Sequence, residues 1–377
     1  MSLITYLTKI QFEAGARRLL AEELTALGCS APLIVADKGV VAAGLVADVL
    51  EASGMDAATV VYDGTPENPT EAAVFEALEV FRASQCDGVV GIGGGSPLDL
   101  AKAVSLMATH AAPLEQYAAI LGGVPRVRKD KPPVVAIPTT AGTGSEVGRA
   151  SLLTLNDGRK LGFISPYMIP DVAICDPELT LGLPPHLTAA TGMDALTHCI
   201  ETYLSPRDNP PAEAIALDGL RRVARNIRTA VADGQDLAAR TQMMMAALEG
   251  GMTFQKGLGA VHSLSHPLGG LKGVRLHHGT LNAVLLPAVL EFNFAVAGEK
   301  YAALADALGV ADPAGLPSAI AALNRDLGMP ATLREMGVPK EVLPTIAANA
   351  VLDHSTATNA RPITEPDFRA ILEQVWG

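Results

Sequence analysis

Four short apolar runs in the first half of the chain do most to limit its fold: Leu33–Ala36, Thr59–Tyr62, Gly88–Ile92 and Val134–Ile137. Each is continuous rather than alternating, the pattern of a strand buried on both faces. The runs stop at Asp37, at Asp63-Gly64, at Gly93-Gly94-Gly95 and at Pro138. Segments with helical spacing lie between them, such as Ala14–Leu27 and Thr70–Ser84, the second opened by Pro69-Thr70-Glu71. Strand–helix alternation of this kind predicts a parallel, doubly wound sheet. Past residue 180 the strand signals stop and Pro184-Pro185 marks a break. The Ala/Leu-rich stretches 189–204, 212–225, 236–250, 261–268 and 279–295 then carry helical spacing. A chain of 377 residues exceeds one ordinary core. The expectation is therefore an α/β dinucleotide-binding domain over 1–180 and an all-helical domain over 181–377.

Composition narrows the partners. The 28 Lys and Arg against 40 Asp and Glu give a formal charge of −12, a poor balance for nucleic acid, which is bound through clustered cations. Cys29, Cys86, Cys175 and Cys199 show no CxxC spacing, and reduced thiols in a cytoplasmic protein are expected. No signal peptide is read. The apolar stretch 281–290 is interrupted by Asn282 and Pro287 and reads as too short and broken to span a membrane.

Two loops carry the chemistry of the first half. Gly93-Gly94-Gly95-Ser96-Pro97 follows a predicted strand and opens a helix running through Asp99 and Lys102. Glycines let backbone N–H groups approach a phosphate, and a helix N-terminus adds partial positive charge. A tight strand–helix turn would look the same, since this is not the spaced GxGxxG pattern. Pro138–Glu146 is a second loop of small and hydroxyl-bearing residues after a buried strand. Two such loops at the carboxyl ends of parallel strands would face one crevice. Asp37 also ends a strand, where a carboxylate accepts from a ribose and repels a 2′-phosphate, favouring NAD over NADP; alone, it would read as a helix cap.

In the second half Asp194 and His198 are four apart, as are His262 and His266, and His277 and His278 follow. Residues at that spacing share a helix face. Five of the eight histidines fall between 198 and 278, more than satisfied core histidines would explain. One carboxylate and three imidazoles suit Fe(II) or Zn(II). Cys199 lies about 100° around the helix from His198 and is expected in the core. A cation with an open position would polarise an alcohol oxygen. Metal-dependent alcohol/aldehyde oxidoreduction is the reaction class that follows.

At these motifs the chain resembles the iron-containing (group III) alcohol dehydrogenases over essentially its whole length. The resemblance is carried by Asp63-Gly64 with Pro66–Thr70, Gly93–Pro97 with Asp99 and Lys102, Pro138–Glu146, Ala190–His198, Val261–Gly270 and His278-Gly279. It implies a dehydroquinate synthase-like fold with the site in the cleft between two domains. It implies Asp194, His198, His262 and His278 as metal ligands, with His277 an alternative for the last, and His266 as a second cleft histidine serving proton relay or substrate positioning. The implied cofactor contacts are Asp37, Asn68, Gly94, Gly95, Ser96, Thr139, Thr140, Thr143 and Lys160, with NAD as cofactor. Dimers are common in the family, and a homodimer is expected.

The run Gln255–Gly259, the run His262–Lys272, the paired histidines and Gly158–Phe163 resemble one branch, the bacterial 4-hydroxybutyrate dehydrogenases. That branch implies interconversion of 4-hydroxybutyrate and succinate semialdehyde. A buried substrate carboxylate needs a partner. Arg149 is the first candidate, as Arg forks a carboxylate best, and Lys256, Lys272 and Arg275 follow. The rivals are a primary-alcohol or diol dehydrogenase without carboxylate specificity, a related reaction such as lyase chemistry on the same fold, and a metal- and nucleotide-binding sensor without chemistry.

Overall fold

The computed structural model describes residues 8–377, and these separate into two compact units. One holds the chain up to Thr140 together with Ser145–Gly182; the other holds Leu183–Gly377 and the short segment Ala141–Gly144.

The first unit is built on a six-stranded parallel sheet. Its strands are β1 (Lys9–Phe12), β2 (Pro32–Val35), β3 (Val61–Tyr62), β4 (Gly88–Gly93), β5 (Val134–Pro138) and β8 (Val172–Cys175), in the order β1-β8-β5-β4-β2-β3. Helices α1 (Leu20–Ala26), α2 (Lys38–Ala42), α3 (Leu45–Ser53), α4 (Glu71–Ala83) and α5 (Gly95–Thr109) connect them. The four expected runs all became strands, because β2, β4 and β5 are buried along their full length and only continuous apolar runs tolerate that. Thr70 caps α4, its hydroxyl accepting from Ala73 N–H at 3.2 Å. The order of strands reverses between β2 and β4, and such a switch point opens a crevice at the carboxyl ends.

Four strands were not expected. β8 carries the same continuous apolar signature as the others, while β1, at the sheet edge, is partly exposed and mixed in polarity. The other two, β6 (Ala150–Thr154) and β7 (Lys160–Ile164), form an antiparallel hairpin around Asp157-Gly158, a dipeptide suited to a tight turn. The segment Ser145–Leu152 is pinned to α5 by buried polar groups. Lys102 Nζ donates to Ser145 Oγ at 2.7 Å, Ala150 O at 2.8 Å and Gly148 O at 3.1 Å, and Asp99 accepts from Leu152 N–H at 2.9 Å.

Glu146 is buried beside this node. Burial pushes its carboxyl up to about 7, against the pull of the Lys102 ammonium. Its ordinary value is 4.5, so between these two pH values the folded chain keeps a proton that the unfolded chain has lost. The stability this proton confers is complete below 4.5 and lost as pH rises through 7, a swing of about 3 kcal/mol. Glu146→Gln is expected to raise the melting temperature above pH 7 and to flatten its pH dependence across that window, checked by thermal melts of both proteins. An unchanged slope would refute this.

The second unit is helical: α6 (Pro185–Leu204), α7 (Pro210–Ala232), α8 (Leu237–Met252), α9 (Ala260–Gly269), α10 (His278–Leu308), α11 (Leu316–Asp326), α12 (Leu343–Val351) and α13 (Glu365–Trp376). Asn209 and Asp236 cap α7 and α8 with their side chains. The reading of 281–290 as short and broken is corrected. Pro287 lies inside a 31-residue helix, which departs from helical geometry only at Ala297. That helix is long and apolar enough to cross a membrane, yet more than half of its apolar window is buried within the unit, as in a core helix.

Candidate functional site

Asp194 sits in the middle of α6, 2% exposed, with His198 one turn on. The helices place three imidazoles around its Oδ1. Nε2 of His198 lies at 3.4 Å, Nε2 of His278 at 3.7 Å and Nε2 of His262 at 3.8 Å. Donor atoms of Asp194, His262 and His278 all lie within 4.8 Å of one another. Donors bonded at about 2.1 Å in a tetrahedron are about 3.4 Å apart, so the group needs little adjustment to close on one cation. Of the paired histidines, His278 provides this nitrogen, and His277 occupies the N-cap of α10.

The hydrogen bonds behind the rings suit the same purpose. Nδ1 of His262 donates to Glu201 at 2.6 Å, and Nδ1 of His198 donates to the carbonyl of Gly142 at 3.2 Å. Both partners are acceptors, so the ring proton sits on Nδ1 and the Nε2 lone pair faces Asp194. Burial drives the His198 imidazole down to about 4, keeping it neutral. His262 is raised: burial opposes its charged form, but the Glu201 hydrogen bond and charge outweigh this. The Asn282 amide, one turn beyond His278, donates to Asp194 Oδ1 at 2.7 Å and lies 3.3 Å from Nε2 of both His262 and His278. A largely buried cluster of acceptors that draws in an amide donor fits a divalent cation.

His266 adjoins this group. Its ring stacks on His278 with centroids 5.7 Å apart and 5° between planes. Its Nδ1 donates to Asp353 at 2.8 Å, while its Nε2 is buried without a hydrogen-bond partner. Burial alone would raise the Asp353 carboxyl, but interaction with His266, including the hydrogen bond from its Nδ1, and with His354 holds it well below the usual carboxylate range. Glu201, Asn282 and Asp353 were not singled out in the sequence. Glu201 stands seven residues after Asp194 on one helix face, which is a readable signal; Asp353 lies 87 residues from its partner and had none.

Close packing of backbones builds the cluster. A Cβ on Gly279 would fall 2.1 Å from Ala190 O, so α10 meets α6 there without a side chain between them. A Cβ on Gly142 would fall 2.7 Å from Thr191 Cβ, and one on Gly144, whose φ is +62°, would fall 2.5 Å from Gly251 Cα. The glycines of the Pro138–Glu146 loop therefore serve packing against α6 and α8. Thr143 lies in that segment, while Thr139 and Thr140 belong to the first unit. Cys199 is fully buried against Gly219, burial pushing its thiol far up, and all four cysteines are buried free thiols.

In the first unit, Asp37, Gly93–Ser96 and Thr139-Thr140 all follow the carboxyl ends of neighbouring parallel strands. Gly94 is the N-cap of α5, and Gly95 and Ser96 form its first turn. Asp37 Oδ1 caps α2 by accepting from Val40 N–H at 2.9 Å. Asn68 and Lys160 are brought together, Nζ donating to Oδ1 at 3.1 Å. Arg149 is half-buried just ahead of β6. Lys256 does not meet the expectation placed on it. It is fully buried, and its ammonium is neutralised by Glu213, which also pairs with Lys300.

A family model described as iron-containing alcohol dehydrogenase matches residues 8–177, and one described as the Fe-containing alcohol dehydrogenase family, C-terminal, matches residues 188–376. The chain is 50% identical to the 4-hydroxybutyrate dehydrogenase of Cupriavidus necator, over 99% of this chain and 100% of that one. Its fold matches the crystal structure of a 1,3-propanediol oxidoreductase with a TM-score of 0.92 at 38% identity, covering 100% of both chains. It matches a sulfoacetaldehyde reductase of Bifidobacterium kashiwanohense, solved in complex with NAD+, with a TM-score of 0.89 at 28% identity, covering 100% of this chain and 98% of that one. With both halves matched in order, and a carboxylate ringed by imidazoles in the helical half, the chain belongs to the iron-containing alcohol dehydrogenase family.

Proposed function

We propose that this protein is an NAD-linked, metal-dependent dehydrogenase that interconverts 4-hydroxybutyrate and succinate semialdehyde. The observation that carries the activity is the donor cluster of buried Asp194, His198 and His262 with half-buried His278. The substrate rests on 50% identity, end to end, with a 4-hydroxybutyrate dehydrogenase. A bound Fe(II), or Zn(II) in its place, would supply a Lewis acid that makes an alcohol easier to ionise, and bound NAD would supply the hydride acceptor.

The chain's own groups do the rest. Asp194 would supply the negative charge that balances the cation, and the three Nε2 lone pairs would be its other protein ligands, with room left for a substrate oxygen. His266 takes up the hydroxyl proton at Nε2, since Asp353 holds its other nitrogen as a donor. The N–H groups at the start of α5, around Gly94, Gly95 and Ser96, hold the cofactor's pyrophosphate. The Asp37 carboxylate accepts from the adenosine ribose, and Asn68, Thr139, Thr140, Thr143 and Lys160 make the remaining cofactor contacts. Arg149 pairs with the substrate's carboxylate. The same reading makes the enzyme a cytoplasmic homodimer.

The test compares 4-hydroxybutyrate with 1-butanol, each with NAD, on protein loaded separately with Fe(II) and Zn(II). Loss of one charge-assisted contact is expected to lower kcat/KM for butanol by about 10- to 100-fold. Equal values would overturn the substrate and favour a diol or simple primary alcohol, in line with the likeness to a 1,3-propanediol oxidoreductase. Failure to reduce NAD with any alcohol would favour the sensor.

A further inference from the structure

We infer that Glu201 is a positioning residue for the metal centre: it sets the tautomer of His262 and seats the helix that carries it. The inference rests on the reading of Asp194, His198, His262 and His278 as metal ligands, and adds a group that touches neither cation nor substrate.

Glu201 lies on the face of α6 that carries Asp194 and His198, at spacings of seven and three residues. It is 5% exposed, and both its oxygens engage the start of α9. Oε1 accepts from Val261 N–H at 2.7 Å and Oε2 accepts from His262 Nδ1 at 2.6 Å. The first bond satisfies one of the orphan donors at a helix N-terminus, which needs a partner when buried. Space for the carboxylate is reserved by Gly259, where a Cβ would fall 2.8 Å from Oε1 and 3.0 Å from Asn359 Oδ1.

A neutral imidazole has one N–H, and an ionised carboxylate only accepts. With Glu201 behind it, His262 must carry its proton on Nδ1 and present a bare Nε2 toward Asp194. The bond is charge-assisted, which strengthens it and makes the ring a better electron donor to a cation. His198 has only a backbone carbonyl in the corresponding place, at 3.2 Å, so the stronger orienting partner is assigned to His262.

Glu201→Gln separates this role from simple space-filling. The amide oxygen still accepts from Val261 N–H, which fixes the side chain's orientation. Its NH2 then faces His262 Nδ1, which must become the acceptor. The ring proton moves to Nε2 and blocks the lone pair the cation needs, although side-chain size and the seat of α9 are unchanged.

The experiment measures zinc affinity by competition with a chelating dye, alongside melting of the metal-free proteins. Glu201→Gln is expected to bind zinc about 10- to 100-fold more weakly than wild type, with an unchanged metal-free melting temperature. Wild-type affinity in the variant would overturn the inference while leaving the ligand assignment standing. Should the variant not fold, nitrogen NMR of histidine-labelled, zinc-loaded wild-type protein decides. His262 with a protonated, hydrogen-bonded Nδ1 and a zinc-bound Nε2 supports the inference, and zinc on Nδ1 overturns it. Wild-type protein that takes up no zinc would overturn the ligand assignment and this inference together.

Discussion

Asp194→Asn is expected to lower kcat by at least about 1,000-fold and to leave the purified protein without bound metal, a loss of several kcal/mol of Lewis-acid stabilisation. The cause is charge rather than shape. Asp194 is the anionic member of a buried donor set, and its Oδ1 stands 3.4 to 3.8 Å from three imidazole nitrogens. A doubly charged ion taken out of water needs a counter-charge as well as lone pairs. The asparagine oxygen still accepts from Asn282, as Oδ1 does now at 2.7 Å, so the metal-free melting temperature should barely move. Metal analysis, melting and NADH absorbance check the three parts. A variant that turns over at the wild-type rate without metal would refute the role given to Asp194.

Gly279→Ala is expected to remove metal just as fully, although it alters no ligand. The added Cβ would lie 2.1 Å from Ala190 O and 3.3 Å from Asp194 Cβ, and contacts under 3.0 Å are not tolerated. The start of α10 must therefore retreat from α6 by about 1 Å, carrying His278 away from Asp194. Metal–ligand distances tolerate only about 0.2 Å. Unlike Asp194→Asn, this substitution also strains the core and should cost about 1–3 kcal/mol in the metal-free protein. Metal content and the metal-free melting temperature distinguish the two variants. Full metal occupancy in Gly279→Ala would show that the α6–α10 contact does not set the cluster.

Much of the architecture was legible because the relevant signals are local. Continuous apolar runs marked β2 to β5, and the helical spacing after residue 180 marked the second unit. The Asp157-Gly158 hairpin and β8 carry equally local signals. β1 does not, since an edge strand with one face in water lacks the apolar run. The helical spacing of 279–295 held, but Pro287 is no break in it: the stretch 281–290 is almost wholly buried within a long helix, and packing there overrides a local breaker.

By itself the sequence determined the class of each half and the helix faces on which Asp194, His198, His262 and His266 lie, because helical geometry turns spacing into position. Only the tertiary structure decided that His278 rather than His277 faces Asp194, that Glu201 and Asp353 stand behind His262 and His266, and that Lys256 is taken by Glu213. These are contacts between segments tens of residues apart. Nothing in a local pattern records which buried groups will meet, since each must find a partner only once the helices have packed.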